Sequence, residues 1–389
     1  MRLNKAALWA FCVGIVLFWC GLYLFVPILA VYSRAKGASM ALVGLITGSY
    51  GLTQLILRIP LGAASDRLGW RKPFVLAGFI VVILSCLGLA WSPTPEWILV
   101  FRGLSGVAAS AWVAVTVLLA GFFPPDKAVQ ATSVLTFCAA LGQLLSTTAG
   151  GWIADRWGWT MPFRGGAVLA AVGILFALPL PEKRTPPASR LTWQRFRHVA
   201  TVPSLILVSL LAAVSQYASH TTVQGFVPLY ATQLGASRTV LGWLSSAALI
   251  PSTTMSLFAA GIASRIGGRR AVGLGLLVVF AAVFVVPWVR TIPMLIVARI
   301  VHGLGTGLAY PVAMGLSIRT VPQEERASAM GIFQAVYAVG MFVGPALSGL
   351  IAQWWGLNAV FWSTGLLCLG AGVPTLAEIS LRRETQPAS

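Results

Sequence analysis

Nine carboxylates, three imidazoles, five thiols and 27 Lys and Arg are the groups of this 389-residue chain that could do ionic, acid–base or nucleophilic chemistry. All nine acids (Asp66, Glu96, Asp126, Asp155, Glu182, Glu324, Glu325, Glu378, Glu384) lie between apolar stretches or at their ends. A carboxylate in mid-membrane would be the ordinary proton carrier, because desolvation brings its pKa into the working range. With none there, the proton-exchanging candidates are the histidines, followed by Asp155. His198 falls in a basic segment, whereas His220 and His302 fall inside apolar stretches. Gln216, His220 and Gln224 recur at i, i+4 and i+8, which on an α-helix makes one polar stripe. His302 follows Arg299 by three residues, so the two share a helix face. An interhelical hydrogen bond is the structural alternative for each histidine. Cys12, Cys20, Cys86, Cys138 and Cys368 show no CxxC spacing and read as small core residues. No clustered metal ligands, nucleophile–base pair or phosphate-binding G-x-x-x-x-G-K-[ST] loop is present, so no metal, cofactor, ATP-driven step or enzymatic activity is expected.

The elements that carry these residues are membrane helices. The chain is 58% hydrophobic and 9% charged, far from the roughly 25% charge of soluble domains. A crossing helix needs about 20 apolar residues, and twelve such stretches occur. They run Leu8–Val31, Ala41–Ala64, Pro73–Trp91, Trp97–Phe122, Val129–Ala154 and Phe163–Leu180, then Leu205–Leu229, Thr239–Ile262, Ala271–Val289, Pro293–Ile318, Ala327–Ala352 and Asn358–Ala377. The first follows Arg2 and Lys5 like a signal peptide but is too long and lacks a small-residue cleavage site, so it reads as an uncleaved helix. The net charge of +18 reflects loops that face an anionic bilayer, and no nucleic-acid partner is expected. Eighteen Lys and Arg fall on the termini and even-numbered loops against six on the odd loops. That bias predicts a multi-pass protein of the cytoplasmic membrane with both termini in the cytoplasm. Arg58, Arg102 and Arg299 are left inside predicted spans, where a charge costs at least ~2.5–3.5 kcal/mol, so each must face protein or water.

The chain also repeats itself. A shift of 198 residues brings Gly37-Ala38-Ser39 onto Gly235-Ala236-Ser237, Gly142 onto Gly340 and Trp157-Gly158 onto Trp355-Gly356. Each repeat holds six spans, an even number, so the halves have the same orientation and relate by an axis along the membrane normal. The predicted organisation is an all-α protein of two six-helix bundles, residues 1–180 and 204–389. A cytoplasmic linker, 181–203, joins them and contains an interfacial amphipathic helix around Trp193 and Phe196. Such a parallel repeat implies a ligand near the midplane between the bundles, and hence transport.

The loop after the second stretch, Gly62-Ala63-Ala64-Ser65-Asp66-Arg67-Leu68-Gly69-Trp70-Arg71-Lys72, resembles the G-x-x-x-D-R-x-G-R-R signature of the major facilitator superfamily. Arg102 to Gly106 is similar to that family's R-x-x-x-G element, and Arg299 to Gly303 is its counterpart. The resemblance covers the whole chain and implies twelve helices, alternating access and gating by Gly62, Asp66, Arg67, Gly69, Arg71 and Lys72. Asp66 is expected to meet the amides at the start of span eleven, near Ala327. Ser264 replaces the acid in the second half, and Trp70 replaces a usual basic residue. The exporter branch carries a Gly-Pro in span five, where this chain has Ser146-Thr147, while span eleven keeps Gly344-Pro345. On the spans that line the cavity in this family, the candidates are Tyr23, Tyr50, Gln54, Arg58, Thr136, Gln216, His220, Gln224, Thr253, Gln334 and Tyr337, with Trp112 and Phe137 as apolar neighbours. Arg102, Arg299 and His302 are structural or coupling candidates. The expected function is secondary transport, by a monomer in the lipid bilayer, of a small organic molecule. Export of a drug or metabolite is expected, with a proton or counter-ion as possible coupling partner. A facilitator or exchanger of organic anions is the alternative, and a membrane enzyme or signalling protein a remote one.

Overall fold

The computed structural model of the chain describes residues 5–120, 123, 128–179, 182, 198–319, 321–322 and 325–384. Among the described residues the regular structure is helical throughout. The apolar sequence leaves little choice: in lipid every backbone amide and carbonyl must be satisfied internally, which a helix does within one segment. Ten segments are long and apolar enough to cross a membrane, and the shorter helix Met161–Ala177 adds another. One of the ten, Ser328–Leu376, is double-length and turns at Gly356, where φ is 82°. This accounts for twelve crossings. The predicted linker helix lies outside the described residues, which resume at His198 after Glu182.

The ends of the spans follow local chemistry. Proline opens the helices Lys72–Trp91, Pro95–Ser110, Met161–Ala177 and Pro203–Ser219, where its missing amide costs nothing. The second span runs Met40–Leu68, four residues beyond the predicted end, so Asp66 and Arg67 belong to its last turn rather than to the loop. Gly69 closes it in the left-handed conformation, its amide donating to the Ser65 carbonyl at 3.1 Å.

Three spans expected to be continuous are interrupted. The first divides into Lys5–Tyr23 and Val26–Ala35 ahead of Pro27, which has no amide to donate back to Tyr23. The fourth divides into Pro95–Ser110 and Trp112–Ala120. The seventh runs Pro203–Ser219, widens into a seven-residue π-helix, His220–Phe226, and resumes as Val227–Gln233 with Pro228 in its first turn.

Two compact units emerge, Met1–Arg190 with Ala236–Trp243, and Leu191–Gly235 with Leu244–Ser389. Helix Arg238–Ile266 therefore starts with the first unit and continues in the second. Within each unit glycines let helix backbones touch. A side chain at Gly150 would meet the Leu24 backbone, and one at Gly142 would sit 2.6 Å from the Val16 carbonyl. In the second unit Gly340 packs on the Ala213 backbone, and a side chain at Gly344 would lie 2.9 Å from the Tyr217 carbonyl. The repeat is written into the backbone as well. Among the described residues, those with positive φ are Gly37, Gly69, Gly158, Gly235, Gly267 and Gly356, three pairs each 198 apart.

Candidate functional site

In the first unit the signature segment is a fastened turn. The Ser65 hydroxyl donates to the Gly62 carbonyl at 2.9 Å. The guanidinium of Arg71, a residue only 6% exposed, donates to the Ser65 carbonyl, which thus accepts from both the Gly69 amide and Arg71. Gly62 packs under Val113, where a side chain would approach to 3.3 Å. Arg67 is exposed, and the Asp66 side chain lies outside the described residues. Glu182, just beyond the sixth span, caps the helix Lys72–Trp91: its carboxylate accepts from the Arg71 amide and from the Lys72 amide at 2.9 Å. The Lys72 ammonium returns to the Leu178 carbonyl. Sequence reasoning did not assign Glu182 a partner, because the amides it caps lie more than a hundred positions away.

A second set joins spans one, two and four. Arg102 is 1% exposed and holds its guanidinium 4.4 Å from the Tyr50 ring centre and 5.6 Å from that of Phe25, while Nη1 donates to the Ser105 hydroxyl at 3.3 Å. Aromatic faces thus meet its charge. Gln54, buried beside it, donates to the Tyr50 carbonyl at 3.3 Å and accepts from Arg58 Nη2 at 3.0 Å. Tyr23 packs at a tilt against Trp19, 5.6 Å between ring centres, and Trp19 meets Trp112 edge-on at 5.3 Å. Tyr23, Tyr50, Gln54, Arg58 and Arg102 therefore form one aromatic and polar string. Thr136 and Phe137 are exposed on span five and stand apart from it.

Asp155 is engaged structurally. Its carboxylate accepts from the amides of Arg238 at 3.1 Å and Thr239 at 2.7 Å, and from the Thr239 hydroxyl at 2.6 Å. Arg238 in turn donates to the Ala154 carbonyl at 2.7 Å and lies 3.8 Å over Trp159. This is a helix N-cap supplied from another helix.

The second unit groups its polar residues around the π-helix. His220 is buried, and its Nδ1–H donates to the Gln216 carbonyl at 3.1 Å. Gln224 is also buried, but the stripe expected through it is corrected: beyond His220 the backbone bonds run i to i+5, as from Val227 to Thr222, so α-helical spacing does not carry through. Tyr217 meets the Ser348 hydroxyl at 3.2 Å. Thr222, which sequence reasoning passed over, is wholly buried and gathers Arg299 and His302 onto one oxygen, at 3.5 and 3.3 Å. Tyr337 packs edge-on against Tyr310 and Phe333, Gln334 is half-buried beside it, and Thr253 is exposed on span eight. The five cysteines are buried and unpaired. No group of three or more His, Cys, Asp or Glu that could hold a metal occurs among the described residues.

Comparison with known proteins agrees with this architecture. A family described as Major Facilitator Superfamily matches residues 11–222 and again 205–389. The multi-drug resistance efflux pump PmrA homolog of Lactococcus lactis is 26% identical over 89% of this chain and 88% of its own. The inner membrane transport protein YajR of Escherichia coli is 24% identical over 95% and 81%. Among solved structures, a mutant of the nucleoside transporter NupG superposes with a TM-score of 0.80 at 15% identity, covering 96% of this chain and 99% of that one. At that identity the likeness is one of fold.

Proposed function

The chain belongs to the major facilitator superfamily and is a multi-pass membrane transporter, and from that premise we propose that it exports a small organic molecule with apolar bulk from the cytoplasm by alternating access. The observation that carries this reading is the string Tyr23, Tyr50, Gln54, Arg58 and Arg102 beside Trp19 and Trp112. Few hydrogen-bonding groups set among aromatic rings suit a mixed apolar and polar ligand. Similarity to efflux pumps over most of the chain supports the outward direction. In this reading residues 1–180 and 204–389 are the moving bundles, 181–203 the linker, and Gly62, Asp66, Arg67, Gly69, Arg71 and Lys72 the cytoplasmic gate. The protein acts as a monomer in the cytoplasmic membrane with both termini inside. Gln216, His220, Gln224, Gln334 and Tyr337 border the route in the second half, and coupling, where it uses protons, passes through His220.

Purified protein in proteoliposomes provides the test. An amphiphilic aromatic dye should accumulate in vesicles when a pH gradient is imposed, and Tyr50→Leu with Gln54→Leu should remove the accumulation. Dye movement equal to that in protein-free vesicles would overturn the export reading. Buried arginines without a mid-span acid favour a second reading, facilitated exchange of organic anions. It predicts counterflow of a labelled aromatic acid with no gradient imposed.

A further inference from the structure

The two arginines of the repeat are served differently, and the difference defines a site. Gly106 and Gly303 each press a helix backbone onto its neighbour, Gly106 on the Tyr50 carbonyl and Gly303 on the Ala248 carbonyl. These contacts set Tyr50 and Ala248, 198 positions apart, in equivalent places, and Arg102 and Arg299 each stand four residues before the glycine. In the first unit the guanidinium of Arg102 rests on the Tyr50 ring and donates to Ser105. In the second unit alanine replaces that tyrosine, and His302 stands where Ser105 stood. Arg299 has thus lost both its ring and its serine acceptor.

What remains does not satisfy it. Arg299 and His302 are each 2% exposed. The Thr222 hydroxyl gives its single proton to the Ala218 carbonyl at 2.7 Å, so towards both neighbours it can only accept. Arg299 Nη1–H donates to it at 3.5 Å, and His302 must present Nε2–H at 3.3 Å. This fixes the imidazole tautomer and leaves a bare lone pair on Nδ1. Two buried atoms then have no partner, the Arg299 Nη2 donor and the His302 Nδ1 acceptor. Both belong to side chains that converge on one oxygen, each a fork or a ring's width from it. Leaving such groups unpaired is unfavourable, most of all for the charged one.

We propose that Arg299, His302 and Thr222 form a binding site for a carboxyl group. One carboxyl oxygen accepts from Arg299 Nη2, and the group arrives with one proton, shared between its second oxygen and His302 Nδ1. The ligand therefore supplies both missing partners, and the carboxylate together with its proton enters without net charge. Other titratable groups on the packed elements are already engaged or remote. Tyr217 bonds Ser348 and His220 bonds the Gln216 carbonyl on span seven. Tyr337 and Cys368 sit on the last long helix and Tyr310 on span ten itself. Arg265, Arg269 and Arg270 lie at the ends of spans eight and nine. The acids of this half, Glu324, Glu325, Glu378 and Glu384, lie outside the middle of every span. The proposal does not rest on the export reading.

The test uses the full-length protein in detergent at neutral pH and fixed ionic strength, with acetate, benzoate and chloride as probes. Acetate or benzoate should raise the thermal midpoint saturably. In weak buffer, binding should take up about one proton per acid bound, because the free acid is ionised at this pH. Arg299→Gln should weaken binding by about tenfold or more. His302→Gln should abolish proton uptake while retaining part of the affinity. A response to acetate identifies a site for small free acids, and a response to benzoate alone identifies the carboxyl of a bulkier cargo. No saturable response of the wild type to either acid, or an equal response to chloride without proton uptake, overturns the proposal. These wild-type measurements decide it even where a variant fails to fold.

Discussion

Asp66→Asn is expected to slow transport several-fold while leaving ligand affinity within about twofold, since the residue is proposed to act on the closed cytoplasmic gate rather than on the ligand. Flux and binding measured on the same purified variant check this, and equal flux at matched amounts would remove Asp66 from the gate. His220→Gln keeps a polar group but removes a group that can exchange a proton, so the pH profile of flux should flatten relative to the wild type. An unchanged profile would leave His220 as a packing residue, tied to the Gln216 carbonyl. Asp155→Asn should leave the response to a pH gradient intact, because its carboxylate is occupied by the Arg238 and Thr239 amides and the Thr239 hydroxyl. Loss of that response with ligand binding preserved would identify Asp155 as a coupling acid. At this scale the sequence was legible where burial has a large cost. The burial of Arg102 and Arg299 inside protein follows from the cost of a charge facing lipid. Glu182 and Thr222 were not legible, because what makes each of them matter is a partner distant in the chain and ordinary in type.

Elements behave as their small residues dictate. Gly150→Ala and Gly340→Ala would push a methyl group into the Leu24 and Ala213 backbones, where no flexible side chain can yield. Each should cost about 1–3 kcal/mol of stability. Gly370→Ala, with nothing within 4 Å of the added methyl, should not. Thermal midpoints of the three variants in one detergent measure the contrast, and equal midpoints would mean that the close helix contacts do not limit stability. The existence of each span was plain from apolar run length. The interruptions were harder to read. Pro27 and Pro228 marked two of them, yet whether a helix answers a proline by breaking, as after Tyr23, or by widening over His220–Phe226 depends on packing that periodicity does not contain.

At the scale of the whole molecule the internal repeat is the organising fact, and its sequence trace was readable because it falls on glycines that turn the chain or let helix backbones touch. The uneven count of Lys and Arg predicts that a fluorescent protein fused to the C-terminus folds and fluoresces in the cytoplasm, whereas alkaline phosphatase at the same place stays inactive. The opposite pattern would invert the topology. What the repeat could not reveal from sequence is where its copies have parted company in structure: a simple break in span one against a π-helix in span seven.

The three glycine pairs bear on how such a chain is assembled. At Gly37, Gly69, Gly158, Gly235, Gly267 and Gly356 the chain reverses on one left-handed torsion. At Gly69 and Gly267 the turn is sealed by an amide donating four residues back, to Ser65 and to Ala263. These torsions and closing bonds lie within the turn itself, so neighbouring helices can fold back on each other as hairpins before distant partners such as Glu182 are added. The slow events are then the long-range closures, such as Gly150 onto Leu24 and Gly340 onto Ala213, which wait until the fifth and the eleventh helices have been made. Each half of the molecule would ripen late, and at the same point of its own synthesis.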